Sequence, residues 1–399
     1  MATQASGTDA ASCASGADHE CAASRLLFFH VTTPDHEITL FHDMDGLLAT
    51  LEREVDAARE RVWIETYIYR HDSMGRAFAE LLARAAARGI DVRLLYDAMG
   101  CQATDTEFFD ELRARGVKVT PYRPIAVALR SGRWWPRDHS RVIVIDDQGF
   151  TGGAAWGDEW LPVSRGGQGW HDVCSRVRGP CVEAFARIFR RRWAEADRVD
   201  APVDIATRGA FADLELVADS SAGAHVVFHR HRDAIQRARE RVWIENAYFF
   251  PPVALLEDLY AAVDRGVDVR IIVPHESDLK IIDRAARDDY ARWTERGLAI
   301  HEYLPSMMHS KFAVIDDDWA TVGTFNANAT SVMWANEVNL FVYDRAFVAE
   351  VAKLFERDLS RAQPVACGAD DHRSFSIRTK DALSNRILRF LEAQRVDTV

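Results

Sequence analysis

Two stretches of this chain carry the same reactive side chains in the same order. HSRVIVIDDQGFTGGAAW spans 139–156 and HSKFAVIDDDWATVGTFNAN spans 309–328. Each opens on a histidine with a cation two positions on: His139 with Arg141, His309 with Lys311. VIVI (142–145) and FAVI (312–315) are apolar and rich enough in β-branched residues to be strands. Residues i and i+2 of a strand share a face, so each imidazole and its cation project together. That pairing suits an anionic substrate: the cation holds phosphate oxygens while the imidazole attacks phosphorus or moves a proton. Asp146 and Asp316 lie an odd number of positions from their histidines, hence on the opposite face, and read as strand-end acids that support the fold. Small residues follow. Gly152, Gly153 and Gly323 let backbone approach a ligand or a neighbouring strand, and Thr324 and Asn326 add hydrogen-bond donors. A carboxylate comes after each stretch, Asp172 in GWHDVCSRVRGP and Glu337 in WANEVNLFVYD. An acceptor behind a histidine fixes its tautomer and stabilises its cationic form. His-x-Lys alone says little; the whole set occurring twice, in order, is what carries weight.

The elements that must position these residues repeat as well. ARERVWIE occurs at 58–65 and again at 238–245, and RGIDVRLL at 88–95 answers RGVDVRII at 265–272. Matched landmarks in one order indicate duplication of a whole domain. In each half an amphipathic helix (47–60; 234–240) leads into the short strand VWIE. A longer helix (77–88; 254–265) stops at Gly89 or Gly266, the place for a left-handed residue. The next strand, VRLLY or VRIIV, is too continuously apolar to be half exposed. Strands alternating with helices predict an α/β fold, two duplicated domains each with a mixed β-sheet flanked by helices. The predicted organisation is a disordered tail at 1–25, domains at 26–205 and 206–370, and a C-terminal amphipathic helix at 371–399. The turn-rich stretch 201–224 contains the boundary.

Composition excludes some classes. Among 399 residues the net charge is −12, which disfavours a nucleic-acid binder. No apolar run approaches the ~18–20 residues that cross a bilayer, and the first twenty residues lack a basic and an apolar segment of secretory type. The cysteines at 13, 21, 101, 174, 181 and 367 show no CxxC pairing, and the reading is free thiols in a reducing cytoplasm. Near the C-terminus Leu383, Ile387, Phe390 and Leu391 recur at helical spacing among Arg378, Lys380, Arg386 and Arg389. Such a basic amphipathic helix either lies in a membrane interface or docks on its own domain. Trp134 and Trp135, flanked by arginines, either sit at a headgroup layer or wall the cleft.

These residues resemble the phospholipase D superfamily, whose pattern is H-x-K-x4-D-x6-G-[ST]-x-N. The second copy matches throughout, with His309, Lys311, Asp316, Gly323, Thr324 and Asn326. The first has Arg141 for lysine, and Ala155 takes the place of the asparagine. Within the superfamily the chain is most similar to bacterial cardiolipin synthases over 37–365, in stretches such as IETYIYRHDSMG, TGGAAWGDEW and ENAYFFPP. The resemblance implies two domains related by a pseudo-twofold axis and sharing one cleft. It implies a covalent phosphohistidine on one histidine, His139, with His309 as acid and base. Arg141, Lys311, Thr324, Asn326, Gly152 and Gly153 would bind phosphate, and Asp172 and Glu337 would orient the imidazoles. No metal or cofactor is implied. The expected reaction joins phosphatidyl groups to a phosphatidylglycerol hydroxyl at the inner face of the cell membrane, the enzyme being cytoplasmic and peripheral. Alternatives are hydrolysis to phosphatidic acid, a nuclease-like phosphodiesterase, or a lipid-binding pseudoenzyme with a decayed first copy.

Overall fold

A computed structural model describes residues 28–132, 136–197, 207–219, 225–365 and 375–393. The expected tail at 1–25, the pair Trp134 and Trp135, and parts of the predicted boundary at 201–224 lie outside the described residues.

The chain forms two mixed sheets built alike. The first runs Phe28–Thr32, Glu37–Phe41, Cys174–Arg178, Gln148–Gly152, Val142–Ile145, Arg61–Thr66, Asp91–Asp97, Lys118–Tyr122. The second runs Thr207–Ala210, Leu214–Ala218, Val338–Val342, Trp319–Gly323, Lys311–Ile315, Arg241–Asn246, Asp268–Pro274, Ala299–Tyr303, and adds Ala362–Pro364 at its edge. In each, three parallel strands joined by helical crossovers meet an antiparallel set that carries the repeated phrase. The registers agree: Val62 faces Ile145 as Val242 faces Ile315. Gly89 and Gly266 end their helices at φ 87° and 84°, the left-handed region open to glycine.

Alternation along the central strands explains why they read as continuous apolar runs. Val142 and Val144 face a core shared by both halves, while Ile143 and Ile145 face the first half's own core. Phe312 and Val314 likewise face the shared core and Ala313 and Ile315 the second half's own. The shared core also takes in the helices Val182–Asp197 and Arg345–Leu359, so the sheets are buried on both faces. Asp146 and Asp316 sit at the hairpin tips at φ 47° and 48°. Asp146 accepts the amides of Arg59, Glu60 and Arg61, and Asp316 those of Arg239, Glu240 and Arg241. They pin the hairpin to the start of the neighbouring strand, away from the histidines.

Candidate active site

Each histidine of the repeated phrase sits two or three residues before its strand and is tied to the other half through its backbone. The His139 amide donates to Asn336 O at 3.1 Å, and the His309 amide to His171 O at 2.7 Å. The short strand Arg137–Asp138 runs parallel to Ala335–Asn336 across the junction. Two histidines far apart in sequence are thereby held at one seam.

The carboxylates behind them are exchanged between halves. His309 Nδ1 lies 2.8 Å from Asp172, which belongs to the first half, and His139 Nδ1 lies 3.0 Å from Glu337, which belongs to the second. Trp160 Nε1 donates to Asp172 at 2.8 Å, and the Thr324 hydroxyl donates to Glu337 at 2.5 Å. Aromatic rings complete the walls. Tyr67 meets His139 edge-on at 5.0 Å, and Trp160, Trp170 and Tyr248 surround His309 at 5.2–5.7 Å. These rings and His171 were not singled out by sequence reasoning. Tyr67 and Tyr248 do lie within two residues of the ends of the strands Arg61–Thr66 and Arg241–Asn246, a position that could have drawn attention to them.

The cations sit as the i, i+2 spacing requires. Arg141 Nη1 is 3.1 Å from His139 Nε2, and Lys311 Nζ is 3.1 Å from His309 Nδ1 and also reaches its carbonyl. The Lys311 ammonium is 5.6 Å from the centre of the Tyr248 ring. Arg141 Nε and Nη2, and Asn326 Oδ1, are buried with no hydrogen-bond partner. A buried guanidinium with donors left over is costly unless an anion completes it. The site therefore asks for a group such as a phosphodiester, whose oxygens match that fork.

Burial and mutual charge set the protonation. Burial first, then Lys311, hold His309 down at about 4 against the pull of Asp172. Burial first, then Arg141 and Lys311, push His139 well below the usual histidine range. For Asp172 burial works upward, but the His309 and Lys311 charges and the His309 hydrogen bond outweigh it and hold the acid at about 2. Burial carries Glu337 up to about 8 and lowers Lys311 to about 7. Neutral imidazoles beside cations are able to act as nucleophile or base.

Three expected phosphate ligands have other partners. A Cβ on Gly152 would lie 2.3 Å from Val173 O, and one on Gly153 would lie 2.1 Å from Asp172 Oδ1. Glycine here lets the turn pass against the segment carrying Asp172, and the Gly153 amide already donates to Val173 O at 3.0 Å. The Thr324 hydroxyl accepts the Val338 amide besides holding Glu337. These residues build the support for the acids, while Arg141 and Lys311 lie against the two imidazoles. Ala155 does stand where Asn326 stands. Gly153 N to Val173 O matches Thr324 N to Val338 O, and two residues on come Ala155 and Asn326. The first hairpin tip is one residue shorter, with Ile145 opposite Gln148 where Ile315 is opposite Trp319.

The family model described as "Cardiolipin synthase, PLD-like domain" matches residues 51–193 and 232–359. A cardiolipin synthase of Geobacillus sp. (strain WCH70) is 31% identical over 344 residues, covering 84% of this chain and 68% of that protein. One from Listeria monocytogenes serotype 4b (strain CLIP80459) is 29% identical over 366 residues, covering 89% and 75%. Among solved structures, phosphatidylserine synthase of Haemophilus influenzae Rd KW20 superposes with a TM-score of 0.71 at 13% identity, covering 95% of this chain and 98% of that one. At that identity the likeness shows the fold alone. The duplicated sheets, the paired histidines and the match of the family model to both halves agree, and the chain belongs to the cardiolipin synthase family of phospholipase-D-like proteins.

Proposed function

We propose that the protein is a phosphatidyltransferase of the cardiolipin synthase type, which joins a phosphatidyl group to a hydroxyl of phosphatidylglycerol at a membrane surface. One observation carries the reading: two imidazoles, each backed by an acid of the opposite half, stand beside cations, and Arg141 keeps two buried donors unused. In the first step His139 Nε2 attacks phosphorus and the bond to the leaving alcohol breaks. The His139 side chain is 13% exposed against 3% for His309, which favours it as the nucleophile. His309 supplies the proton to the leaving oxygen. Its basicity rises on substrate binding, because the anionic phosphodiester offsets part of the Lys311 and Arg141 field. In the second step His309 takes the proton of the incoming hydroxyl, whose oxygen displaces His139 from phosphorus. Arg141, Lys311 and Asn326 hold the non-bridging oxygens as negative charge builds.

The test is to incubate the protein with phosphatidylglycerol vesicles and identify products by mass. Cardiolipin and glycerol are expected; phosphatidic acid in place of cardiolipin, again with release of glycerol, would make the protein a hydrolase. His139→Ala and His309→Ala should each lower turnover about 1,000-fold or more. Undiminished turnover by His139→Ala would sink the two-histidine mechanism.

A further inference from the structure

The C-terminal helix Phe375–Ala393 is amphipathic in the wrong sense for a helix folded onto a protein. Several of its polar residues face inward, beside Leu388. Asp381, Ser384 and Glu392 are buried, Asn385 Nδ2 donates to Ala285 O at 3.0 Å, and the Glu392 carboxylate accepts the Val253 amide at 2.9 Å. Arg389 turns inward. It pairs with Asp289 at 3.1 Å, donates to Pro251 O at 2.9 Å and lies 4.1 Å over the Phe250 ring. The apolar stripe points to solvent: Leu383 is 58% exposed, Ile387 42% and Phe390 62%. At i, i+4 and i+7 these form one continuous ridge. Lys380 and Arg386 are exposed on the same helix and meet no acidic partner among the described residues. Leu279 and Ile281, at the start of the helix it packs on, and Val253 are also exposed. Water contact over so many apolar groups is unfavourable, and specific polar contacts hold the helix in that pose.

We infer that this ridge is the surface by which the protein docks on an anionic bilayer, with the helix lying along the interface. The inference rests on the proposed use of a lipid substrate, and charge selects the occupant. A chain of net charge −12 is repelled by an anionic surface as a whole, so docking needs a local cationic site joined to apolar side chains. Lys380 and Arg386 beside Leu383, Ile387 and Phe390 supply both. The position fits. Phe250, under Arg389, donates its amide to Ala327 O, and Asn328 Nδ2 holds Tyr248 O at 3.0 Å. Tyr248 is the wall of the Lys311 and His309 site. The helix thus sits on the shelf that borders the reaction centre, beyond the carboxyl ends of Arg241–Asn246 and Asp268–Pro274.

Flotation of the full chain with vesicles of phosphatidylglycerol and phosphatidylcholine tests this. The triple variant Leu383→Glu/Ile387→Glu/Phe390→Glu should partition at least ~10-fold less than wild type. Its circular dichroism and its turnover of a short-chain, monomerically dissolved phosphatidylglycerol should be unchanged. Lys380→Glu/Arg386→Glu, which leaves the ridge intact, should remove the salt-dependent part of binding. Wild-type partition by both variants would overturn the assignment. So would sedimentation showing a wild-type dimer that the triple variant splits, with no vesicle binding by either. A wild-type protein that floats with vesicles through this ridge yet makes no cardiolipin would refute the proposed reaction and leave the docking surface standing.

Discussion

The two halves share a skeleton and differ in where their buried charges are neutralised. Glu65 and Glu245 occupy the same place in the repeated VWIE strand and both are fully buried. Trp63 stacks on Phe189, and Trp243 on Phe355, so the residues three positions on, Arg192 and Asp358, hold equivalent places on their helices. In the first half the cation is Arg192 itself, 3.7 Å from Glu65 and 3.4 Å from Asp138. In the second half that place holds an acid, and the cation is His171, lent by the first half. It lies 3.3 Å from Glu245 and 3.0 Å from Asp358. Burial works to lower His171, but Asp358 and Glu245 outweigh it and raise the group to about 10. Duplication kept the buried glutamate and re-sourced its partner. Asp358 also pairs with Arg357 of its own helix at 3.3 Å, whereas the cation beside Glu245 is His171, which adjoins Asp172 and accepts the His309 amide. A stability device and the catalytic seam thus became one element.

Removing either cation gives the largest effect expected here. Arg192→Met and His171→Phe should each cost about 3–5 kcal/mol in denaturant unfolding at neutral pH, because acids are left buried without a counter-charge. Both should also lower turnover, because His171 accepts the His309 amide and Arg192 pairs with Asp138, which directly precedes His139 on the seam strand. The pH dependence separates them. His171 is raised from 6.5 to about 10 on folding, so its contribution is fully present below about 6.5 and is lost as pH rises through about 10. Arg192 stays charged throughout. Unfolding at pH 10.5 should narrow the gap between wild type and His171→Phe, and leave that for Arg192→Met open. Equal pH dependence of the two variants would break the comparison.

The motif ends differ too, Gly-Thr-Phe-Asn against Gly-Gly-Ala-Ala. Asn326→Ala, which makes the second end resemble the first, should lower turnover about 100-fold with little change in stability. The reverse change should not repair anything. Ala155 is buried against a cavity of about 20 Å³ lined by Leu47, Leu48, Leu51 and Met74, with Arg141 at its edge. Ala155→Asn would place an amide there whose oxygen could meet only Arg141 and whose NH2 group faces apolar side chains, and should cost about 1–3 kcal/mol of stability. Higher turnover by Ala155→Asn would show that the first half still has a usable donor position.

What was legible in the sequence was what short-range periodicity encodes. The i, i+2 rule placed each histidine with its cation, the odd spacing put Asp146 and Asp316 aside as fold supports, and repetition exposed the two-domain plan. The exchange of carboxylates was not legible. Asp172 follows His139 in its own half, yet its partner lies 137 residues further on. Nothing local distinguishes own-half from other-half pairing, because the choice is made by how the sheets pack. The same holds for His171, whose role depends on three segments distant in sequence. The C-terminal helix shows the limit in another form. Its apolar stripe was readable, but which side it turns inward depends on Asp289, Ala285 and Val253, which no helical period can foretell.

The remaining contrast, Arg141 against Lys311, predicts a smaller effect that tests the electrostatics directly. Burial leads in lowering both, yet arginine starts so high that it keeps its charge, whereas Lys311 falls to about 7. As pH rises through about 7 the free enzyme loses the Lys311 charge, and with it one of two hands on the phosphodiester. The value of kcat/KM should therefore fall on the alkaline side by about tenfold. A bound anion favours the protonated lysine, so kcat at saturating lipid should hold to higher pH than kcat/KM. Lys311→Arg makes the second half match the first at this position. Its fixed charge should flatten the alkaline limb of kcat/KM, even where the bulkier guanidinium lowers the plateau. An alkaline limb unchanged in Lys311→Arg would assign the titration to another group, with Glu337, raised to about 8, next in line. Glu337→Gln would then decide, because it removes that titration and leaves Lys311 in place.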